Sequence, residues 1–275
     1  MPKHNITFIG GGNMAASLIG GLVANGKAPD EICVSDIDPE KCRMAENRFG
    51  VRTCSDNATA VADADIVVLA VKPQVMVPVI DSLCDAARMR SPLMVSVAAG
   101  VRAADIVRWL GYPAAVVRTM PNTPALVGAG ATALFANDQV TPEQRTSAQT
   151  ILDAVGISVW VESETQLDAV TALSGSGPAY YFLLMELMQT AGEKLGLDPD
   201  TARQLTLQTA LGAARIANEG EDPPGTLREK VTSPNGTTEQ ALLYFQNNGM
   251  AELVTGALQA AHDRSVELGD ELGKS

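Results

Sequence analysis

The segment NITFIG at 5–10 is a short β-branched and aromatic run. GGGNMAASL at 10–18 follows at once and opens an apolar helical pattern through Met14, Leu18 and Leu22. Gly10, Gly12 and Ala15 satisfy G-x-G-x-x-G/A at this strand-to-helix turn. Gly10 allows a tight turn, Gly12 lets the backbone approach a pyrophosphate, and Ala15 lets the helix pack close to the strand. The N–H groups that start the helix suit an anionic phosphate. A glycine turn that merely packs is the competing reading. An acidic residue at the end of the second strand favours the dinucleotide, and Asp36 stands there.

EICVSD at 31–36 follows a Gly-Lys-Ala-Pro break and completes a βαβ unit. Continuous apolar runs at 65–71, 93–97, 115–119 and 131–135 alternate with helical or mixed segments, as in a sheet covered on both faces. ISVWV at 157–161 reads as the last strand. From about 163 helical periods take over, in AYYFLLMELMQTAGEKLGL, PDTARQLTLQTALGAARIANEG and MAELVTGALQAAHDRSVELGDEL. The expectation is an α/β domain with a doubly wound sheet over 1–162 and an all-α domain over 163–275. Ala, Leu and Met spread around much of these helices predict that part of the second domain meets another subunit.

A net charge of −12 opposes phosphate backbones and anionic lipid surfaces, so neither nucleic acid nor a membrane is an expected partner. An anionic cofactor must then be held by local backbone donors. MPKHNITFIGGG lacks the pattern of a secretory signal and no apolar run has the length of a span, so the expected location is the cytoplasm. Cys33, Cys42, Cys54 and Cys84 form no CxxC pair and the histidines are His4 and His262 alone, so no metal site is expected and the thiols read as reduced and structural.

Asp36 suits the ribose 2′-OH of NADH and repels the 2′-phosphate of NADPH. Ser35 and Asn57 are candidate donors to that phosphate, with Arg43, Arg48 or Arg52 in reach, and a turn or N-cap role before Asp38-Pro39 is the alternative for Asp36. LAVKPQ at 69–74 ends a buried strand at Lys72 and Pro73, where an open sheet places its crevice; Lys72 reads equally well as a solvated strand end. VAAGV at 97–101 and RTMPNTPALVGAG at 118–130 run into loops on the same edge, with Asn122 and Thr123 stiffened between prolines. SGSGPAYYF at 174–182 reads as a helix start with exposed donors, or as a break where another backbone packs. In VTSPNGTTEQAL at 231–242 the turn SPNG leads into a helix. The Ser233 hydroxyl and the N–H groups of Gly236, Thr237 and Thr238 make an anion-sized nest; a simple N-cap is the alternative.

Taken in order, GGGNMA, LAVKP, SVAAGV, RTMPNTP, LSGSGPAY and VTSPNGTTEQAL resemble the pyrroline-5-carboxylate reductase family over nearly the whole chain. The resemblance implies an N-terminal Rossmann-type domain, a C-terminal helical dimerisation domain, a homodimer built further into a ring of dimers, and an active site between subunits. It implies NADPH or NADH as cofactor, with Gly10, Gly12, Asn13 and Met14 at the pyrophosphate. Ala70, Lys72, Pro73 and Ala99 border the ribose and nicotinamide, and Ser35 and Asn57 the adenosine end. Ser233, Gly236, Thr237 and Thr238 match the substrate carboxylate site, and the Thr238 hydroxyl the position that bonds the ring nitrogen. Asn235 stands where the family often has Gly, and Asp36-Ile37 where many relatives have Arg.

The implied reaction is hydride transfer to the C=N bond of 1-pyrroline-5-carboxylate, giving L-proline. These motifs hold no histidine, cysteine or paired carboxylate, so no dedicated strong general acid is expected; the resemblance implies Thr238 as the residue that relays a proton from solvent. Two rivals differ in class: a β-hydroxyacid dehydrogenase-like oxidoreductase, whose helix lysine is missing after Gly175-Ser176-Gly177, and a non-catalytic dinucleotide-sensing module.

Overall fold

The computed structural model describes residues 4–274; Met1–Lys3, part of the stretch read as carrying no secretory signal, lie outside it. Among the described residues eight strands form one sheet: β1 (Ile6–Ile9), β2 (Ile32–Ser35), β3 (Arg52–Cys54), β4 (Ile66–Leu69), β5 (Leu93–Ser96), β6 (Val116–Met120), β7 (Gly130–Ala136) and β8 (Gly156–Trp160). The helices are α1 (Asn13–Ala24), α2 (Pro39–Phe49), α3 (Asn57–Val61), α4 (Met76–Arg90), α5 (Ala103–Leu110), α6 (Pro142–Asp153), α7 (Gln166–Val170), α8 (Gly177–Lys194), α9 (Pro199–Glu219), α10 (Pro224–Lys230), α11 (Thr237–Asn247) and α12 (Met250–Leu272).

The sheet order is β3-β2-β1-β4-β5-β6-β7-β8, so the chain leaves β1 toward one edge and returns to the other side of it through β4. β1, β2, β4 and β5 are buried along their whole length. Alternate residues point to opposite faces, and each face has its own core. Ile6, Phe8, Ile66 and Val68 pack with Leu18 and Leu22 of α1, while Ile9, Val67 and Leu69 pack with Ile80 and Leu83 of α4. Each such buried side chain contributes about 1.5–3 kcal/mol by leaving water. Local signals set the helix ends. Asp38 accepts from Glu40 N–H ahead of Pro39, Gly50 ends α2 with φ 71°, and Thr141 and Gln144 form a reciprocal cap on α6.

The architecture departs from the expectation in three places. β3 is added at the edge; its three residues are partly exposed and carry no apolar run, and it exists by pairing with β2. β7 runs antiparallel to β6 because the link through residues 121–129 is too short for a crossover helix, whereas β7 and β8 are parallel and joined through α6. The chain divides into two compact units, one built from the chain up to Ser176 and rejoined from Ala260 onward, the other Gly177–Gln259. The division expected after 162 thus differs from the compact units. In the first unit Glu164 bonds Arg118 of β6 at 3.2 Å, Leu167 is buried, and Ser265 of α12 donates to Asp168 at 2.7 Å. The second unit consists of helices.

Candidate functional site

At the point where the sheet order reverses, the turns after β1 and β4 lie side by side. Gly10 N–H donates to Ser35 C=O at 2.7 Å and Ala70 N–H to Ile9 C=O at 2.8 Å. Gly10 has φ +100°, and a Cβ there would lie 2.5 Å from the Ala70 carbonyl oxygen, so both backbone conformation and proximity demand glycine. Gly12 differs. It is the N-cap of α1 with extended backbone and no side-chain cap, and a Cβ there would meet nothing within 4 Å. The first N–H groups of α1 are thus left without a side-chain cap, beside a Gly12 that is open to approach. Asn13 beside them is exposed, Met14 is half-buried, and Ala15 is buried against the strand. These residues fit a dinucleotide pyrophosphate: an uncapped helix start, glycine where the anion must approach, and a small residue where the helix packs.

Asp36 follows β2, but its carboxylate is turned toward the protein. It accepts from Gly11 N–H at 2.8 Å and Asp38 N–H at 2.9 Å and pairs with the Lys41 ammonium at 3.2 Å. Burial pushes this carboxyl up, and the Gly11, Asp38 and Lys41 donors outweigh burial and hold it below its ordinary value. Lys41 carried no role in the sequence reading; a lysine in the first turn of α2, five residues after Asp36, is the signal that marks it. Ser35 is buried and donates to Asn57 Oδ1 at 2.7 Å, while Asn57 Nδ2 donates to Ser82 Oγ at 2.9 Å. Ser82 donates its own proton to Val79 C=O, so it must accept from Asn57, and the amide orientation follows. The structure thus links Ser35 and Asn57 and adds Ser82, a residue that no sequence pattern singled out.

Ala70 and Pro73 are half-buried and Lys72 and Ala99 exposed, at the same edge of the sheet as Gly10. The Asn122 amide is engaged within the first unit. Its Nδ2 donates to Ser174 C=O at 3.0 Å and its Oδ1 accepts from Ala131 N–H at 2.9 Å. Ser174 belongs to a π-helical turn, Thr171–Gly175, and at Gly175 a Cβ would collide with the Met120 methyl. That methyl ends a flexible side chain, so a small shift of Met120 would make room.

In the second unit, Ser233, Thr237 and Thr238 are exposed around the start of α11. Asn235 has φ 60°, a left-handed conformation that asparagine tolerates, and its N–H donates to Glu239 Oε2 at 2.8 Å. Gly236 is the N-cap, and a Cβ there would lie 2.9 Å from the Ser233 carbonyl oxygen. Its N–H donates to that carbonyl at 3.0 Å, so the Gly236 donor expected in the nest is spent inside the turn. The N–H groups of Thr237 and Thr238 have no partner within the helix and, with the Ser233 hydroxyl, remain for an anion.

Among the described residues no helix is long and apolar enough to cross a membrane, and no group of three or more His, Cys, Asp or Glu is arranged to hold a metal.

Two family models match the chain: pyrroline-5-carboxylate reductase dimerisation over residues 164–268, and NADP oxidoreductase, coenzyme F420-dependent, over 5–100. A pyrroline-5-carboxylate reductase of Pseudomonas aeruginosa is 54% identical over 274 residues, with all of both chains covered, and one of Haemophilus influenzae is 44% identical with 98% of each covered. The structure of a pyrroline-5-carboxylate reductase from Coxiella burnetii superposes with a TM-score of 0.94 at 48% identity, covering 97% of this chain and 98% of that one. The Plasmodium falciparum pyrroline carboxylate reductase with NADP bound superposes at 0.85 with 27% identity, covering 98% and 99%.

Proposed function

The chain belongs to the pyrroline-5-carboxylate reductase family, and on that footing we propose that it reduces the C=N bond of 1-pyrroline-5-carboxylate to give L-proline, with NADPH or NADH as reductant. The full-length match to reductases of this name carries the reading. A bound reduced nicotinamide supplies the hydride. The residues of this chain bind, orient and protonate. The turn Gly10–Gly12 with Asn13 and Met14 holds the pyrophosphate, supported by the open approach at Gly12 and the uncapped start of α1. Ala70, Lys72, Pro73 and Ala99 border the nicotinamide end, and Ser35 and Asn57 the adenosine end.

The substrate carboxylate sits at the start of α11, held by the Ser233 hydroxyl and the N–H groups of Thr237 and Thr238. The tight turn at Gly236, with its short approach to Ser233, supports this by keeping those donors together. The Thr238 hydroxyl bonds the ring nitrogen and relays a proton from solvent. Orientation of donor and acceptor carbons is the main task, since no strong general acid occurs in these motifs. The β-hydroxyacid dehydrogenase alternative needs a lysine on the helix after Gly177, and α8 carries none before Lys194. The enzyme is a homo-oligomer; a cytoplasmic ring of dimers is its proposed form. The dimerisation model and exposed apolar side chains on α8 and α11, among them Leu183, Leu187 and Tyr244, support the dimer.

The test supplies purified protein with the imine and each reduced cofactor. Loss of reduced-nicotinamide absorbance matched mole for mole by L-proline is expected; no turnover with either cofactor overturns the proposal.

A further inference from the structure

Asp36 stands where an acid is expected to read the ribose hydroxyls of a dinucleotide, yet its oxygens are occupied. They accept from Gly11 and Asp38 N–H groups and from the Lys41 ammonium at 3.2 and 3.4 Å, and the side chain is 7% exposed. A carboxylate offers about four lone-pair sites, so little capacity remains for a ribose. Lys41 is 44% exposed in contrast. It lines a cavity of about 230 Å³ whose walls include Gly11, Gly12, Met44, Arg48 and Phe49. Lys41 and Arg48 are the cations on that lining, beside the glycine turn.

We propose that Lys41 determines specificity for the 2′-phosphate of NADPH. Its ammonium is held beside the glycine turn by Asp36, meets the added phosphate, and offsets the Asp36 charge that would repel it. Asp36 is then a positioning residue for Lys41 and for the Gly11 backbone. The chain's net charge of −12 does not decide the matter, because exposed charges beyond a Debye length of about 8 Å are screened and the nearest pair dominates. The inference rests on the dinucleotide reading of the Gly10–Gly12 turn.

Calorimetric titration of the whole protein with NADPH and with NADH tests it. Lys41→Met keeps most of the stem and removes the charge, leaving Asp36 uncovered. It should weaken NADPH about tenfold or more, the worth of one charge-assisted contact, and change NADH less than about twofold. Lys41→Arg should keep the wild-type ratio of the two affinities. A Lys41→Met protein whose ratio stays at the wild-type value overturns this inference alone. Wild-type protein that binds neither dinucleotide overturns it together with the reading beneath it.

Discussion

Gly12→Val should remove most dinucleotide affinity and leave the fold close to wild-type stability. The backbone at Gly12 has φ −74° and ψ −177°, extended values that valine adopts without strain. A Cβ there meets nothing within 4 Å, so the free protein loses little beyond an N-cap preference of about 1 kcal/mol for glycine over valine. For a chain of this size that is a fall in Tm of about 2–4 °C. The isopropyl group would instead fill the proposed path of the pyrophosphate. Forcing the anion away from the start of α1 forfeits one or two charge-assisted hydrogen bonds worth about 1.5–3 kcal/mol each, so affinity should fall about a hundredfold. Gly10→Ala is the converse: φ +100° and a Cβ 2.5 Å from the Ala70 carbonyl oxygen make it a lesion of the fold, costing roughly 2–4 kcal/mol. Calorimetric titration with NADPH beside thermal denaturation separates the two. Wild-type affinity in Gly12→Val would show that the phosphate lies elsewhere, and a Tm loss equal to that of Gly10→Ala would refute the open approach.

Thr238→Ala should lower kcat about a hundredfold, within the usual worth of a positioned proton donor, and leave the NADPH Kd unchanged; steady-state rates and titration check both. Asn235→Gly should change stability by less than about 0.5 kcal/mol, whereas Asn235→Val, β-branched at φ 60°, should cost about 1–2 kcal/mol and raise the KM for the imine. The folded-state depression of Asp36 makes its stabilisation complete above its ordinary value of 3.8 and lost as pH falls through the lower folded value. The gap in urea midpoint between wild type and Asp36→Asn should therefore be widest above 3.8 and close below it; a gap independent of pH would refute the assignment.

Much of the fold was legible in local pattern. The runs that became β1, β2, β4 and β5 are mainly apolar, with Thr7, Ser35 and Ser96 as their polar members, and such a pattern marks a strand buried on both faces. β3 escaped because Arg52–Cys54 is held by its neighbour β2 and not by its own composition. The direction of β7 followed from the length of a connection, which counts only once its two strands are known to be adjacent.

The site divides in the same way. Turn chemistry is written in adjacent residues, so GGGNMA and SPNGTT announce a helix start and its donors from sequence alone. Gly10 and Gly12 look equivalent there, and only the fold makes one a packing necessity and the other an open approach, since Ala70 reaches Gly10 from sixty residues away. The inward turn of Asp36 onto Gly11 and Lys41, and the orientation of Asn57 by Ser82, were likewise decided by tertiary structure. A hydrogen bond depends on which distant groups the packed core brings within 3 Å, and no spacing along the chain encodes that distance.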